Sequence, residues 1–587
     1  ITPIPKPKMD PLKPLEYRPI SIISVPCKIY ADILNKRLSF WLEQNDILAE
    51  EQNGFRKNRS CLDHLYVLQS IIKNRKLKKK DTFVCFIDAK RAFDNVNRDM
   101  LWHKLMSIGI SGIFLKAIQS LYDATKSAVK LGHYLTDIFP VNFGVKQGCK
   151  MSPSLFSIYV NDLAEDIRAL NIGVDIDDLN VSILLYADDI ALIAPDEESL
   201  QNMLNCIHSW CMKWRMTLNE TKTKIIHFRN KKAPRSAFNF KCGDMPISFD
   251  NAYRYLGLHI NEFMEHKYTI REITKSASRA LSAVYTKFLS CGGMSFDVYT
   301  KLYKTLIEPV LLHGAGLWGH NNWREVQTIQ NKACRLFMGS SSNASNIAVL
   351  GDMGFKTTKS AELLETYRLF LRVRYTYDYR ITHKVHMWGM NISRSWDKKC
   401  FEIAHKLGIY DIIDSQYSNR HKMYDIKTKL YEIEKQEWVE KLYQDRNEPN
   451  GNKLRTYRLY KNVLETSSYL KNVNDRQHRR ILSNFRNGSL PLAIETGRYT
   501  KPKTLLNDRK CKYCTVDCVE DEKHFLMHCE FYSDLRYGLF LKASAINPNF
   551  YDFNHDDKFI FLMSHDCIQP FLAKSLYFMF NRRKYCV

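Results

Sequence analysis

Three aspartates carry the first chemical signal in this sequence. Asp88 closes the apolar run Phe83-Val-Cys-Phe-Ile87, and Asp188 and Asp189 stand side by side between Val181–Tyr186 and Ile190–Ala194. Asp is a favoured turn residue, so an Asp-Asp pair between two strands is ordinarily only a turn. Carboxylates gathered behind buried strands are costly, however. Two unit charges about 4 Å apart repel by roughly 4 kcal/mol at an effective dielectric near 20. A hard divalent cation removes that cost, and Mg²⁺ typically takes one or two carboxylates together with substrate phosphates. Two such ions about 3.5–4 Å apart activate an attacking 3′-hydroxyl and stabilise a leaving pyrophosphate.

A second cluster lies near the C-terminus, where Cys511, Cys514, His524 and Cys529 are spaced C-x2-C-x9-H-x4-C. Three thiolates and one imidazole at short spacing suit a closed tetrahedral Zn²⁺ site. Cys518 and His528 are competing ligands inside the same window. Most of the other cysteines are scattered singly through apolar segments, as in Cys27, Cys85, Cys206 and Cys334. That pattern fits buried thiols in a reducing compartment rather than a disulfide scaffold.

Elements must position these groups. The β-formers of Thr82–Ile87 predict a strand ending at Asp88, and the two apolar runs around Ala187-Asp188-Asp189 predict a tight hairpin. Helices are predicted at 28–42, 98–124, 153–163 and 197–212, with a further strand at 223–228. Pro153 suits a first helical turn. The first 260 residues thus alternate helix and strand, an α/β or α+β body. Residues 265–480 read largely helical.

In this context the residues resemble a known family. Phe86-Ile-Asp88-Ala-Lys-Arg-Ala-Phe93-Asp94 is similar to the first acidic motif of reverse transcriptases, and Tyr186-Ala-Asp188-Asp189 to their Y/F-x-D-D box. Between them, Gly144-Val-Lys-Gln147-Gly148-Cys-Lys-Met-Ser152-Pro153-Ser-Leu-Phe156 resembles a third motif. Tyr17-Arg-Pro-Ile-Ser21 and Gln52-Asn-Gly-Phe-Arg56 lie upstream; Leu218-Asn-Glu-Thr-Lys222-Thr and Tyr255-Leu-Gly257 follow. The ordered set resembles most the polymerases of non-long-terminal-repeat (LINE-type) retrotransposons, and His313-Gly314, Trp318, Gln330-Asn331, Arg335 and Gly339 extend the likeness less specifically.

The resemblance implies roles. Asp88, Asp188 and Asp189 would be catalytic ligands of two Mg²⁺ ions. Phe93 would exclude ribonucleotides by meeting a 2′-hydroxyl, although its type alone reads as a core aromatic. Gln147 and Gly148 would line the nucleotide and template, Arg56 would meet the triphosphate, and Lys222 would assist pyrophosphate departure. Lys150 and His313 depart from what many relatives carry, Pro and Tyr, without removing a catalytic group. The implied fold class is α+β: a right-hand polymerase with fingers and palm at 1–262, a helical thumb at 263–350, a helical connector at 351–490 and a zinc element at 491–587. The implied activity is RNA-directed DNA synthesis primed from a nicked target, with an RNA template, a DNA primer and deoxynucleoside triphosphates as partners, Mg²⁺ and Zn²⁺ as cofactors, and a nuclear site of action with a cytoplasmic encounter with element RNA. An inactive or domesticated RNA-binding derivative and a group II intron-type maturase are the alternatives.

Charge and composition agree. The 587 residues carry 87 Lys+Arg against 63 Asp+Glu, a net charge of +24 that favours an anionic partner. A 45% hydrophobic content excludes a wholly disordered chain. No apolar run approaches the roughly 18–20 residues that span a bilayer, and the start, Ile1-Thr-Pro-Ile-Pro-Lys, has no secretory core segment. The missing initiator Met reads as a fragment of a longer polyprotein, with an upstream endonuclease expected outside it. Within 451–510, 14 Lys+Arg against 4 Asp+Glu, interleaved with Tyr457, Tyr460, Tyr469, Phe485 and Tyr499, are expected to contact single-stranded RNA.

Overall fold

Phe83 to Ile87 show no polar alternation, and the strand they form is buried on both faces. In the computed structural model, which describes residues 1–6, 10, 12–444 and 452–585, this strand is the centre of a four-stranded antiparallel sheet. Its strands are β1 (Thr82–Asp88), β2 (Ile183–Tyr186), β3 (Asp189–Ala194) and β4 (Lys224–Phe228), in the spatial order β2-β3-β1-β4. Phe83, Cys85 and Ile87 face a core shared with the helices Arg98–Ser107, Ser152–Tyr159 and Glu197–Trp214. On the opposite face Phe86 stacks on Tyr253, with ring centroids 4.4 Å apart.

Two expected helices are each divided. The predicted 98–124 helix becomes Arg98–Ser107 and Gly112–Ser120, because Gly109 (φ 93°) and Gly112 (φ 61°) adopt the left-handed backbone that ends a helix. The predicted 153–163 helix breaks at Val160 into Ser152–Tyr159 and Asn161–Ala169.

The chain forms two compact units, residues 1–269 with 369–402 and residues 270–368 with 403–587. They cut across the four segments expected from the sequence. In the first unit, the strap 369–402 is held on the helix Cys61–Leu77 by buried charge. Asp63, which closes a capping box with Ser60, pairs with Arg372 at 2.9 Å and Arg380 at 3.7 Å. Tyr66 donates to Asp397 at 2.6 Å, and Asp397 lies 2.7 Å from His386 Nδ1, all three fully buried.

The second unit is helical, and one apolar core joins residues from Leu281 to Met579. The ranges expected as thumb, connector and zinc element therefore share packing here. Parts of the connector (445–451, including the first residue of the basic stretch), of the C-terminal region (586–587) and of the extended start (7–9 and 11) lie outside the described residues. Among the described residues, no helix is long and apolar enough to cross a membrane.

The basic, aromatic stretch is not the expected RNA platform. Tyr457, Tyr469 and Phe485 are fully buried, and Tyr499 remains exposed. Arg486 is buried too, donating to both oxygens of buried Asp352 at 3.0 Å each and lying 4.7 Å from the Tyr460 ring and 4.9 Å from that of Tyr469. Burial alone would raise the Asp352 carboxyl, but Arg486 outweighs it and holds the group below its usual range. Ser467, Tyr457 and Tyr469 also donate to Asp352, so its acceptor positions are filled. Asp352→Asn leaves this guanidinium buried without its counter-charge, and it is expected to destabilise the second unit by about 3–5 kcal/mol. A lowered midpoint of chemical denaturation, followed by Trp fluorescence, reads that loss.

Candidate active site and cysteine cluster

The hairpin register sets the geometry of the acidic site. Tyr186 pairs with Asp189 across β2 and β3, leaving Ala187 and Asp188 as a two-residue turn, and Asp189 pairs in turn with Asp88 of β1. All three carboxylates line one cleft of about 1360 Å³ in the first unit. Burial raises the Asp188 carboxyl, and the Asp88 charge adds to it. Asp189 is pushed up to about 6 by burial, then by the charges of Asp188 and Asp88. Asp188 and Asp189 thus resist ionisation as they stand, which is the electrostatic character of a cation site.

The turn is held from below. Ala187 has φ 58°, a left-handed conformation that costs a non-glycine residue on the order of 1 kcal/mol. Its N–H donates to Oε1 of the fully buried Gln52 at 3.1 Å, and Gly54 N–H donates to the same oxygen at 2.8 Å. Backbone bonds Leu185 N–H to Glu51 O and Asn53 N–H to Leu185 O, both 2.9 Å, lay this segment alongside β2. A Cβ on Gly54 would sit 2.3 Å from Ala187 N, so glycine is required there. Sequence reasoning quoted Gln52 and Gly54 only as part of a motif. The pairing that gives them a role was invisible in one dimension.

Asn219 was missed in the same way. Its side-chain amide donates to Asp88 Oδ2 at 3.0 Å and its N–H to the Asp88 carbonyl at 2.8 Å. Lys222 lines the cleft, its Nζ 3.2 and 3.3 Å from the two Asp88 oxygens. Phe93 lines the cleft and stacks on Phe156, centroids 4.7 Å apart, so it is both a core aromatic and a wall of the site. Gln147 also lines the cleft, donating to Asp94 at 2.9 Å. Gly148 (φ 107°) approaches the Tyr17–Ser21 segment closely, since a Cβ there would meet Ser21 O at 2.9 Å.

Arg56 is not brought to the cleft. Its guanidinium is held by Glu43 through two bonds of 2.8 and 2.9 Å, and by the carbonyls of Ala49 at 2.8 Å and Gln52 at 3.2 Å. It braces the Gln52–Gly54 segment instead. Arg18, Lys90 and Arg91 are cations that do line the cleft.

In the second unit, one ligand atom each from Cys511, Cys514, His524 and Cys529 lies within 4.8 Å of all the others. Zn–S bonds of about 2.3 Å in a tetrahedron put sulfurs roughly 3.8 Å apart. Cys511 and Cys529 Sγ are 3.9 Å apart, and Cys514 Sγ is 3.5 Å from His524 Nε2. The donor set therefore fits zinc. Cys518 lies on the other edge of the imidazole, 2.9 Å from Nδ1, and His528 packs against His555. Burial raises the Cys511 and Cys529 thiols, outweighing the backbone N–H groups of Tyr513 and Phe531 that favour their thiolates.

Residues 4–260 match the family model described as reverse transcriptase (RNA-dependent DNA polymerase). The chain is 24% identical over 344 residues to the RNA-directed DNA polymerase from mobile element jockey of Drosophila funebris, covering 57% of this chain and 37% of that protein. It is 23% identical over 371 residues to the probable RNA-directed DNA polymerase from transposon X-element of Drosophila melanogaster, covering 61% and 39%. The matched region thus spans under two-fifths of these curated relatives' length. Among solved structures, apo telomerase from Candida Tropicalis aligns with a TM-score of 0.31 and 12% identity, over 69% of this chain and 60% of that one.

Two outcomes follow from the geometry. Gly54→Ala forces a methyl against the Ala187 backbone and is expected to cost about 1–3 kcal/mol of stability. It should also weaken Mn²⁺ binding at the carboxylates about tenfold, by EPR titration, whereas unchanged affinity would show that the turn does not depend on this contact. Metal analysis of the purified chain is expected to find about one zinc per molecule, lost in Cys511→Ser.

Proposed function

We propose, for a chain whose residues 4–260 match the reverse transcriptase family model, that it is the RNA-directed DNA polymerase of a LINE-type retrotransposon, extending a DNA 3′-end on an RNA template. The carrying observation is the register that sets Asp189 opposite Asp88 with Asp188 in the adjoining turn. Asp88, Asp188 and Asp189 would hold two Mg²⁺ ions, which when bound supply activation of a 3′-hydroxyl and charge stabilisation of a leaving pyrophosphate. The protein's own part is positioning. Gln52 fixes the turn, and Asn219 orients the Asp88 carboxylate. Phe93, backed by Phe156, presents a wall to the sugar of an incoming nucleotide and disfavours a 2′-hydroxyl by a clash. Lys222, whose Nζ lies beside Asp88, would give a proton to the departing pyrophosphate. Arg18, Lys90 and Arg91 are among the cleft cations that would be available to the triphosphate, and Arg56 is not. Zinc at Cys511, Cys514, His524 and Cys529 would tie the terminal element to the second unit's core.

A primer-extension assay on poly(rA)/oligo(dT) with Mg²⁺ tests the reading. The parent chain is expected to extend the primer, and Asp188→Asn to lose at least about a hundredfold in rate. Failure of the parent chain, with RNA binding retained, would instead mark an RNA-binding derivative.

A further inference from the structure

A second cavity, of about 240 Å³, lies wholly within the helical unit and has no part in the acidic site. It is formed beside the π-turn Tyr303–Ile307, where the segment Gly354–Ala361 passes over the long helix Asn419–Gln444. Its walls are apolar and aromatic, with Leu311, Phe355, Leu430, Tyr303 and Tyr431 among them.

The lining is also basic. Lys304, Lys356 and Lys427 line the cavity, against one carboxylate, Glu308. Lys356 Nζ lies 4.0 Å from the centroid of the Tyr431 ring, and Lys435 Nζ lies 4.5 Å from the same centroid. Two ammonium groups are thus gathered on one ring, an arrangement favoured by the ring quadrupole but opposed by their mutual repulsion. Lys356 is held below its usual range by burial and by the charges of Lys427 and Lys435, with Glu434 opposing. That Glu434 carboxylate is engaged by the Thr357 N–H. Exposed lysines usually turn outward into water. Here they converge on a half-enclosed apolar slot, where an anion would relieve their repulsion and a flat ring would fill the space.

We propose that this cavity receives one unstacked nucleotide of a single-stranded nucleic acid, its base among the aromatic and leucine side chains and its phosphates against Lys356 and Lys427. Bases stack on aromatic side chains irrespective of sequence, and lysines track the backbone, so such a slot binds without strong sequence preference. Tyr457 and Tyr469 of the 451–510 stretch, being buried, do not serve this purpose. The proposal rests on the polymerase reading only for the supply of single strands.

The test uses the full chain and 20-nucleotide RNA and DNA oligomers carrying one photoreactive 4-thiouridine or 4-thiothymidine. Adducts mapped by mass spectrometry are expected on residues 303–312, 354–364 or 427–431. The two oligomers distinguish RNA from DNA as the source of the strand. Binding is followed by fluorescence anisotropy across a salt series. The double variant Lys356→Ala/Lys427→Ala is expected to bind several-fold more weakly, with a log–log salt slope shallower by about 0.7 for each lost phosphate contact. Ala361→Phe, which fills the slot and leaves every charge in place, is expected to weaken binding about tenfold without altering the slope. Lys427→Glu, at an exposed position, provides a well-folded variant whose affinity should also fall. Adducts confined to other segments, or full affinity in Ala361→Phe alongside a loss in the lysine variants, would overturn the proposal, the latter marking a merely basic surface. Extension of a preformed primer–template, measured in parallel, reports the polymerase reading separately.

Discussion

Repulsion among three carboxylates is the constraint around which the first unit is arranged. Asp88, Asp188 and Asp189 are brought together by a register and a turn, and both resist relaxation. Strand β1 is central, so its end cannot drift without disturbing β3 and β4 together. The turn is fixed by a side chain, Gln52, buried below it and anchored through Gly54 and the backbone of 51–53. Arg56 closes the arrangement by tying that segment to Glu43 and to the loop carbonyls before it. The folded protein thereby tolerates a local cost that a divalent cation removes, instead of relieving it by moving the carboxylates apart.

The second unit solves the opposite problem. Asp352 and Arg486 are as deeply buried as anything in the chain, yet every polar atom named around them is satisfied from within: the guanidinium and three hydroxyls supply the carboxylate, and three aromatic rings surround the cation. Such a pair has no unmet demand and so serves as architecture. The contrast shows why burial of charge alone does not locate chemistry. The acidic cleft is marked by three like charges that share one exposed ammonium, Lys222 beside Asp88, and the Asp352 site by unlike charges with full hydrogen bonding.

This difference also governs what could be read without coordinates. Strand β1 and the hairpin were legible because a five-residue apolar run ending in Asp has few alternatives, and the cysteine cluster was legible because its spacing is local. Asp88, the Asp188–Asp189 pair and Lys222 are near in space but distant in sequence, and only the ordered motifs made their meeting inferable. Arg56 was misplaced because its motif says nothing of Glu43 on a preceding helix. The basic, tyrosine-bearing stretch was misplaced for a subtler reason. A helix carrying Arg and aromatic residues looks the same whether its Arg meets water or an Asp 134 positions away. Composition reports the charge of a segment and is silent about where its counter-charge lies.

The strap 369–402 gives the catalytic body a timetable. During translation the chain leaves the ribosome from its amino end, and residues 270–368 emerge before the strap that completes the unit begun at residue 1. Until then Asp63 lacks Arg372 and Arg380, and Tyr66 lacks Asp397. Nascent protein therefore carries an open flank on the helix Cys61–Leu77 while roughly a hundred further residues are added. A fold whose closing contacts are encoded this far downstream cannot reach its finished form until the strap itself has been made.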